Sequence, residues 1–299
     1  MRKLIVLMAL AIILIFTCGM SKPEPLKLSI GEQLLTDFPP VIVNNTTLIP
    51  IRTASYLGYN VTWNSENETV TIKKAGTTDI IQLTVGSKTA YKNKSAIELT
   101  VAPQVYANST YVPLRFISEA FGSTVVWDSK NNGVAVFNPY PEATIMAKSS
   151  DLATSRRGVV GLPRVSFQKA LEQPEGMTYT YIFPENESSS FYFLKGGSVY
   201  YYEVKGEYAQ LVWEANTKID KENNNDIDTF SKYIGGAFDP QVGVQPTISQ
   251  RLIFFHDNIF VNGTGKFGLI DQNGKEIISH EVRAQQLSEI IVPVPEEEK

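Results

Sequence analysis

Residues 47–63 read TLIPIRTASYLGYNVTW, and residues 110–127 read TYVPLRFISEAFGSTVVW. Thr47, Pro50 and Arg52 return 63 residues later as Thr110, Pro113 and Arg115, while Gly58 and Trp63 return as Gly122 and Trp127, displaced by one residue more. A near-repeat of this size marks one supersecondary unit used twice. Each copy predicts a strand, a short helix and a second strand. The pairs Leu48-Ile49 and Tyr111-Val112 run into a proline, which pushes the preceding residue out of α geometry and suits the first helical position. Leu114, Ile117 and Phe121 share one helical face, as do Ile51, Ala54 and Leu57 in the first copy. Gly58 and Gly122 stand where a helix cap needs positive φ. Strands are expected at residues 61–63 and 124–127. Helices of about two turns are marginal alone in water, so each must lie on a sheet.

Arg52 and Arg115 face the positive end of their helix dipoles, an unfavourable place for a cation. Glu119 follows Arg115 by four residues, but Tyr56 holds that place after Arg52, so one shared helical ion pair does not serve both. The expectation is structural. Each guanidinium bonds loop carbonyls or a carboxylate, its stem covers the tryptophan, and Trp63 and Trp127 are buried beside their helices.

The pattern of apolar-Pro-apolar-Arg, an apolar helix, Gly, then Val-x-Trp, clearest in YVPLRFISEAFGSTVVWD, resembles the copper amine oxidase N-terminal-like, or stalk, domain over roughly residues 26–138. The resemblance implies a small α+β domain, an antiparallel sheet wrapped on short helices. It also implies an accessory module of secreted and envelope proteins of Gram-positive bacteria. The oxidase chemistry of that family uses three histidine ligands and a modified tyrosine in an Asn-Tyr-Asp/Glu setting. This chain has two histidines, His256 and His280, and no such tyrosine, so copper is not expected.

At 299 residues and 43% hydrophobic content, the chain is long enough for two domains with real cores. A net charge of −4 offers no basic patch for nucleic acid. Met1-Arg2-Lys3 followed by the apolar run 4–16 reads as a signal peptide within residues 1–20, too short for a spanning helix. Cys18, the single cysteine, stands just behind that run in IFTC, which resembles a bacterial lipobox. The expectation is an extracytoplasmic protein, either lipidated at Cys18 and touching membrane only through that anchor, or secreted and wall-associated. One cysteine permits no internal disulfide.

After the module, residues 139–165 read as a linker, with Arg156-Arg157 a solvated pair. Residues 166–292 read as a β-rich domain. TYTYIF, SFYFL, SVYYYEV and AQLVW are aromatic and β-branched runs punctuated by Gly196-Gly197, and Asn-Gly at 262–263 and 273–274 signals hairpins. Tyr200, Tyr201 and Tyr202 should split between core and surface. The tail 293–299 reads as solvated acidic charge.

Few motifs carry chemistry. Gly263-x-Gly265-x-x-Gly268 matches the dinucleotide fingerprint literally, but Leu269-Ile270 and a turn follow at once, leaving no room for the helix whose N-terminus would hold a pyrophosphate. Asp220, Glu222, Asn224, Asp226 and Asp228 place oxygens at alternate positions, as calcium loops do. Position six is Asn225 rather than Gly, and position twelve is Ser231 rather than Glu, so only a weak calcium site is expected and no other cofactor. The functional expectation is a non-catalytic envelope protein binding a wall polymer, glycan or protein. The alternative is an extracellular glycosidase-like hydrolase, with a carboxylate pair such as Glu203 and Glu214 in the C-terminal half.

Overall fold

A computed structural model describes residues 24–173, 179–217, 230–258 and 263–297. The leader with Cys18 and the acidic loop from Asp220 to Asp228 lie outside the described residues.

The N-terminal module is built from thirteen strands: β1 (Lys27–Ile30), β2 (Gln33–Leu35), β3 (Val41–Val43), β4 (Thr46–Pro50), β5 (Tyr59–Asn64), β6 (Thr69–Lys74), β7 (Ile80–Thr84), β8 (Thr89–Lys92), β9 (Ser95–Glu98), β10 (Gln104–Tyr106), β11 (Ser109–Pro113), β12 (Thr124–Asp128) and β13 (Gly133–Phe137). They form three sheets, ordered β12-β13-β1-β2, β10-β11-β4-β3 and β5-β6-β7-β8-β9, rather than one wrapped sheet. The sheets are not wholly antiparallel either. β1 runs parallel to β13, Leu28 opposite Val134, so the first and last strands of the module close it.

Residues 110–127 fold as their pattern predicts. α1 (Leu114–Ala120) follows Pro113, and Leu114, Ile117 and Phe121 are buried with Ile49, Ala54 and Val112 in one core. Each proline ends its strand and serves as the N-cap, one place earlier than the first helical position. Residues 47–63 differ, because Ile51–Leu57 is a 3₁₀ helix. Two 3₁₀ turns take about six residues and two α turns about seven. Both helices nevertheless hold seven residues, and the residue that 110–127 has in addition is Phe121, which caps α1 where Gly58 already caps the shorter stretch. Gly58 (φ 77°) and Gly122 (φ 84°) take the left-handed conformation, and a Cβ on either would touch nothing, so backbone angle alone requires glycine. Lys74 and Lys92 donate to the carbonyls of Phe121 and Ala120 at 2.8 and 2.5 Å, satisfying the end of α1 from the neighbouring sheet.

Residues 139–165 are not a linker. They form α2 (Pro141–Ala147), α3 (Leu152–Val160) and the start of β14 (Arg164–Ser166). The glycine and serine content that reads as loop has a packing cause, since a Cβ on Gly158 would lie 2.1 Å from the backbone nitrogen of Ala147. The two helices cover one face of a nine-stranded sheet formed with β15 (Tyr179–Pro184), β16 (Ser190–Lys195), β17 (Ser198–Lys205), β18 (Tyr208–Thr217), β19 (Phe238–Gly243), β20 (Leu252–Asn258), β21 (Thr264–Ile270) and β22 (Glu276–Arg283). Ala143, Val159 and Leu162 join Phe183, Phe191, Tyr202 and Phe255 on that face, while Tyr192, Trp213, Phe230 and Phe254 form a core on the other. Tyr200 and Tyr202 therefore enter one core and Tyr201 packs against the other, because the sheet is covered on both sides.

Arg156 is also not solvated. It is buried, and it meets a tail that is not free charge: Glu297 accepts from its Nη1 and Nη2 at 2.6 and 2.7 Å. Arg157 donates to the carbonyl of Ile291 at 2.7 Å, strapping the same tail to α3. The Gly263–Gly268 match is a strand. β21 runs through it, and a Cβ at Gly265 or Gly268 would strike Ile290 or the carbonyl of Ile278.

Candidate functional site

Trp63 and Trp127 are exposed, at 44% and 48%, against the expectation of burial. Each lies on the inner face of its strand, Trp63 opposite the buried Val70 and Trp127 opposite the buried Val134. The arginines depart from the expectation as well. Arg52 Nη2 donates to Ser109 Oγ at 2.7 Å, and its guanidinium lies 4.9 Å from the ring of Phe38, not over Trp63. Arg115 pairs with Glu119 at 3.6 Å on an exposed helical face, a contact worth little in water.

Around Trp127 the module leaves a cleft of about 600 Å³. Its floor and walls come from α1 (Arg115, Phe116 and Glu119), from β12 with Trp127, from the β3–β4 turn with Asn44 and Asn45, and from Glu98. The turn is fixed locally. Asn44 and Asn45 both have positive φ, 46° and 59°, the geometry of a tight two-residue hairpin that asparagine tolerates. The cleft thus joins an indole face, a guanidinium, two carboxylates and side-chain amides. That set suits a ring-shaped ligand with polar edges. Nothing in the periodicity marked it, because its residues come from four separated segments.

The second domain holds a different polar centre where it meets the module. Tyr202 donates to Glu32 at 2.6 Å, and Arg164 lies over Phe193 and Tyr202 at 4.5 and 5.0 Å. Phe137 and Ala135 of the module pack with Val165 and Phe167 beside it. Glu214, opposite Tyr200 on β18, is buried. One of its oxygens accepts from the Leu171 N–H at 3.3 Å, and the other has no hydrogen-bond partner among the described residues. Burial pushes its carboxyl above the usual carboxylate range, and the nearby charge of Glu32 adds to this against the Leu171 bond. Glu203 sits on the opposite face, beside Tyr201, and pairs with Lys205 at 2.6 Å. The pair Glu203 and Glu214 therefore does not converge on a bond to be cleaved. His256, whose Nδ1 is 2.7 Å from Thr180 Oγ1, is held below the usual histidine range by burial, and His280 faces Glu296.

A carboxyl whose pKa is raised by folding gives stability that is full below the ordinary carboxylate range and is lost as pH climbs through the folded value. Glu214→Gln should remove that loss. Its melting temperature relative to the native chain should rise as pH climbs from the ordinary carboxylate range towards neutrality. Thermal unfolding of both across that range tests this, and parallel curves would show that Glu214 titrates as it does in the unfolded chain.

Among the described residues no group of three or more His, Cys, Asp or Glu is placed to hold a metal ion, and no helix is long and apolar enough to cross a membrane. Residues 29–136 match the family model described as the copper amine oxidase N-terminal domain, the family that the Pro-Arg-Gly-Trp pattern resembles. The match spans the module that carries the Trp127 cleft and stops before α2. No curated protein matches the chain.

Proposed function

We propose that this chain is a non-catalytic, extracytoplasmic envelope protein, held by a lipid on Cys18 or secreted, that binds a wall polymer, glycan or envelope protein through the Trp127 cleft. The exposed indole carries this reading. A large aromatic residue left in water in a cleft shared with a guanidinium costs solvation and gains little for the fold, whereas aromatic and arginine side chains dominate binding surfaces. In the same reading residues 47–63 and 110–127 form a two-copy repeat, of which the second copy presents the open cleft. The β-rich domain is the platform that holds the module, joined to it by Tyr202 and Glu32. Co-sedimentation of the chain with isolated Gram-positive cell walls tests this. The native protein should pellet, and Trp127→Ala should reduce the bound fraction by about tenfold or more in affinity while leaving the melting temperature unchanged. Release of soluble sugar from those walls by the native chain would instead favour the hydrolase alternative.

A further inference from the structure

Resting on that reading, we propose that the occupant of the Trp127 cleft is an aromatic side chain followed by proline, presented on an extended segment of a partner protein. β4 and β11 pair antiparallel with Leu48 opposite Pro113, Ile49 opposite Val112 and Pro50 opposite Tyr111. Ile49 and Val112 are equivalent positions of the two copies, so each copy meets the other about a local two-fold axis through that pair. The flanking turns agree: φ is 46° and 59° at Asn44 and Asn45, and 47° and 59° at Ala107 and Asn108. The axis carries Arg115 onto Arg52, Glu119 onto Tyr56 and Trp127 onto Trp63.

In the first copy the place beside the arginine is filled from within the chain. The ring of Phe38 lies 4.9 Å from the Arg52 guanidinium and 6.1 Å from the ring of Tyr56. Pro39 and Pro40 follow, and the Pro39 carbonyl accepts from the Tyr111 hydroxyl at 3.3 Å. The same offset brings Phe38 onto Val101 and Pro40 onto Pro103. Val101 is small and turned inward against Leu48 and Tyr111. The second copy thus keeps arginine, indole and proline but lacks the ring, and its place is the open cleft. The first copy displays what this architecture accepts. A flat ring lies against a guanidinium, on a segment whose prolines are already extended and lose little entropy on binding. Glu98 and Glu119 outnumber Arg115 at the cleft, which disfavours a polyanionic occupant.

The probe is the capped hexapeptide TDFPPV, residues 36–41 of this chain, titrated into the ¹⁵N-labelled protein while the three tryptophan indole resonances are followed. The Trp127 signal should shift and the Trp213 signal should not. A peptide with Ala in place of Phe, or the Arg115→Ala protein, should bind about tenfold or more weakly. Phe38→Ala should vacate the first seat, so that the peptide then also moves the Trp63 signal, which it leaves unmoved in the native chain. Equal binding by the Ala peptide, or an unmoved Trp63 in a folded Phe38→Ala protein, would overturn the inference. An unmoved Trp127 signal with wall binding still lost in Trp127→Ala would make the occupant a glycan and leave the proposed function standing. An unmoved Trp127 signal with wall binding unchanged in Trp127→Ala would end both.

Discussion

Arg156→Ala is expected to lower stability by about 3–5 kcal/mol, the cost of stripping one partner from a buried ion pair. The side chains of Arg156 and Glu297 are 1% and 5% exposed, and the guanidinium is satisfied on every side. Besides the two bonds to Glu297, its Nε donates to the Glu187 carbonyl at 3.1 Å and Nη2 to that of Pro184 at 3.3 Å. It lies 5.2 and 5.9 Å from the rings of Phe183 and Phe255. Glu297 is committed too, since one of its oxygens also accepts from the Asn186 N–H at 2.7 Å. Removing either partner leaves the other charge without solvent or counter-ion. In a domain of this size such a loss lowers the melting temperature by roughly 10 °C. Glu297→Ala should cost nearly as much, and the double variant should cost clearly less than the two losses added, because the second removal takes away a group already orphaned. Unfolding of all four proteins in denaturant measures the coupling. A Glu297→Ala protein within about 1 kcal/mol of the native one would show that water replaces the tail at little cost.

The three tryptophans should divide sharply. Trp213 is 1% exposed, its Nε1 donates to Gln241 at 3.2 Å, and its ring meets Phe238 edge-on at 4.9 Å. Trp213→Ala removes that packing and opens a large cavity in the core it shares with Tyr192, Phe230 and Phe254, at a cost of about 3–5 kcal/mol. Trp63→Ala and Trp127→Ala leave no comparable cavity and should stay within about 1 kcal/mol of the native chain. The expectation of buried repeat tryptophans assigns the large loss to the other two, so chemical denaturation of the three variants decides between the readings. A loss of several kcal/mol at Trp127 would turn the cleft into part of the core and remove the ground for a binding role.

What is local in this chain was legible. Proline before Arg52 and Arg115, glycine at 58 and 122, and apolar residues on one side of a two-turn helix gave the strand–helix–strand units, because each of those preferences acts within a few residues. Aromatic runs separated by Gly-Gly or Asn-Gly gave the strands of the second half for the same reason. The dinucleotide-like glycines were readable as a decoy because the helix that the motif needs had no room to follow.

The misreadings all concern what lies far away in sequence. Strand alternation told which face Trp63 and Trp127 take, but not that the fold leaves both exposed. The fate of Arg156 depended on Glu297, 141 residues on, and a charge reads as solvated until its partner arrives. Residues 139–165 looked like a linker because Gly158 is scarce in helices, and only the close approach of α2 explains it. The cleft, too, is assembled from four segments that no window of sequence joins. By itself the sequence determined the units and the turns between them, since backbone preference is a short-range property. The tertiary structure alone decided which indoles stay in water and which charges are buried, since exposure is set by what packs on a residue from elsewhere in the chain.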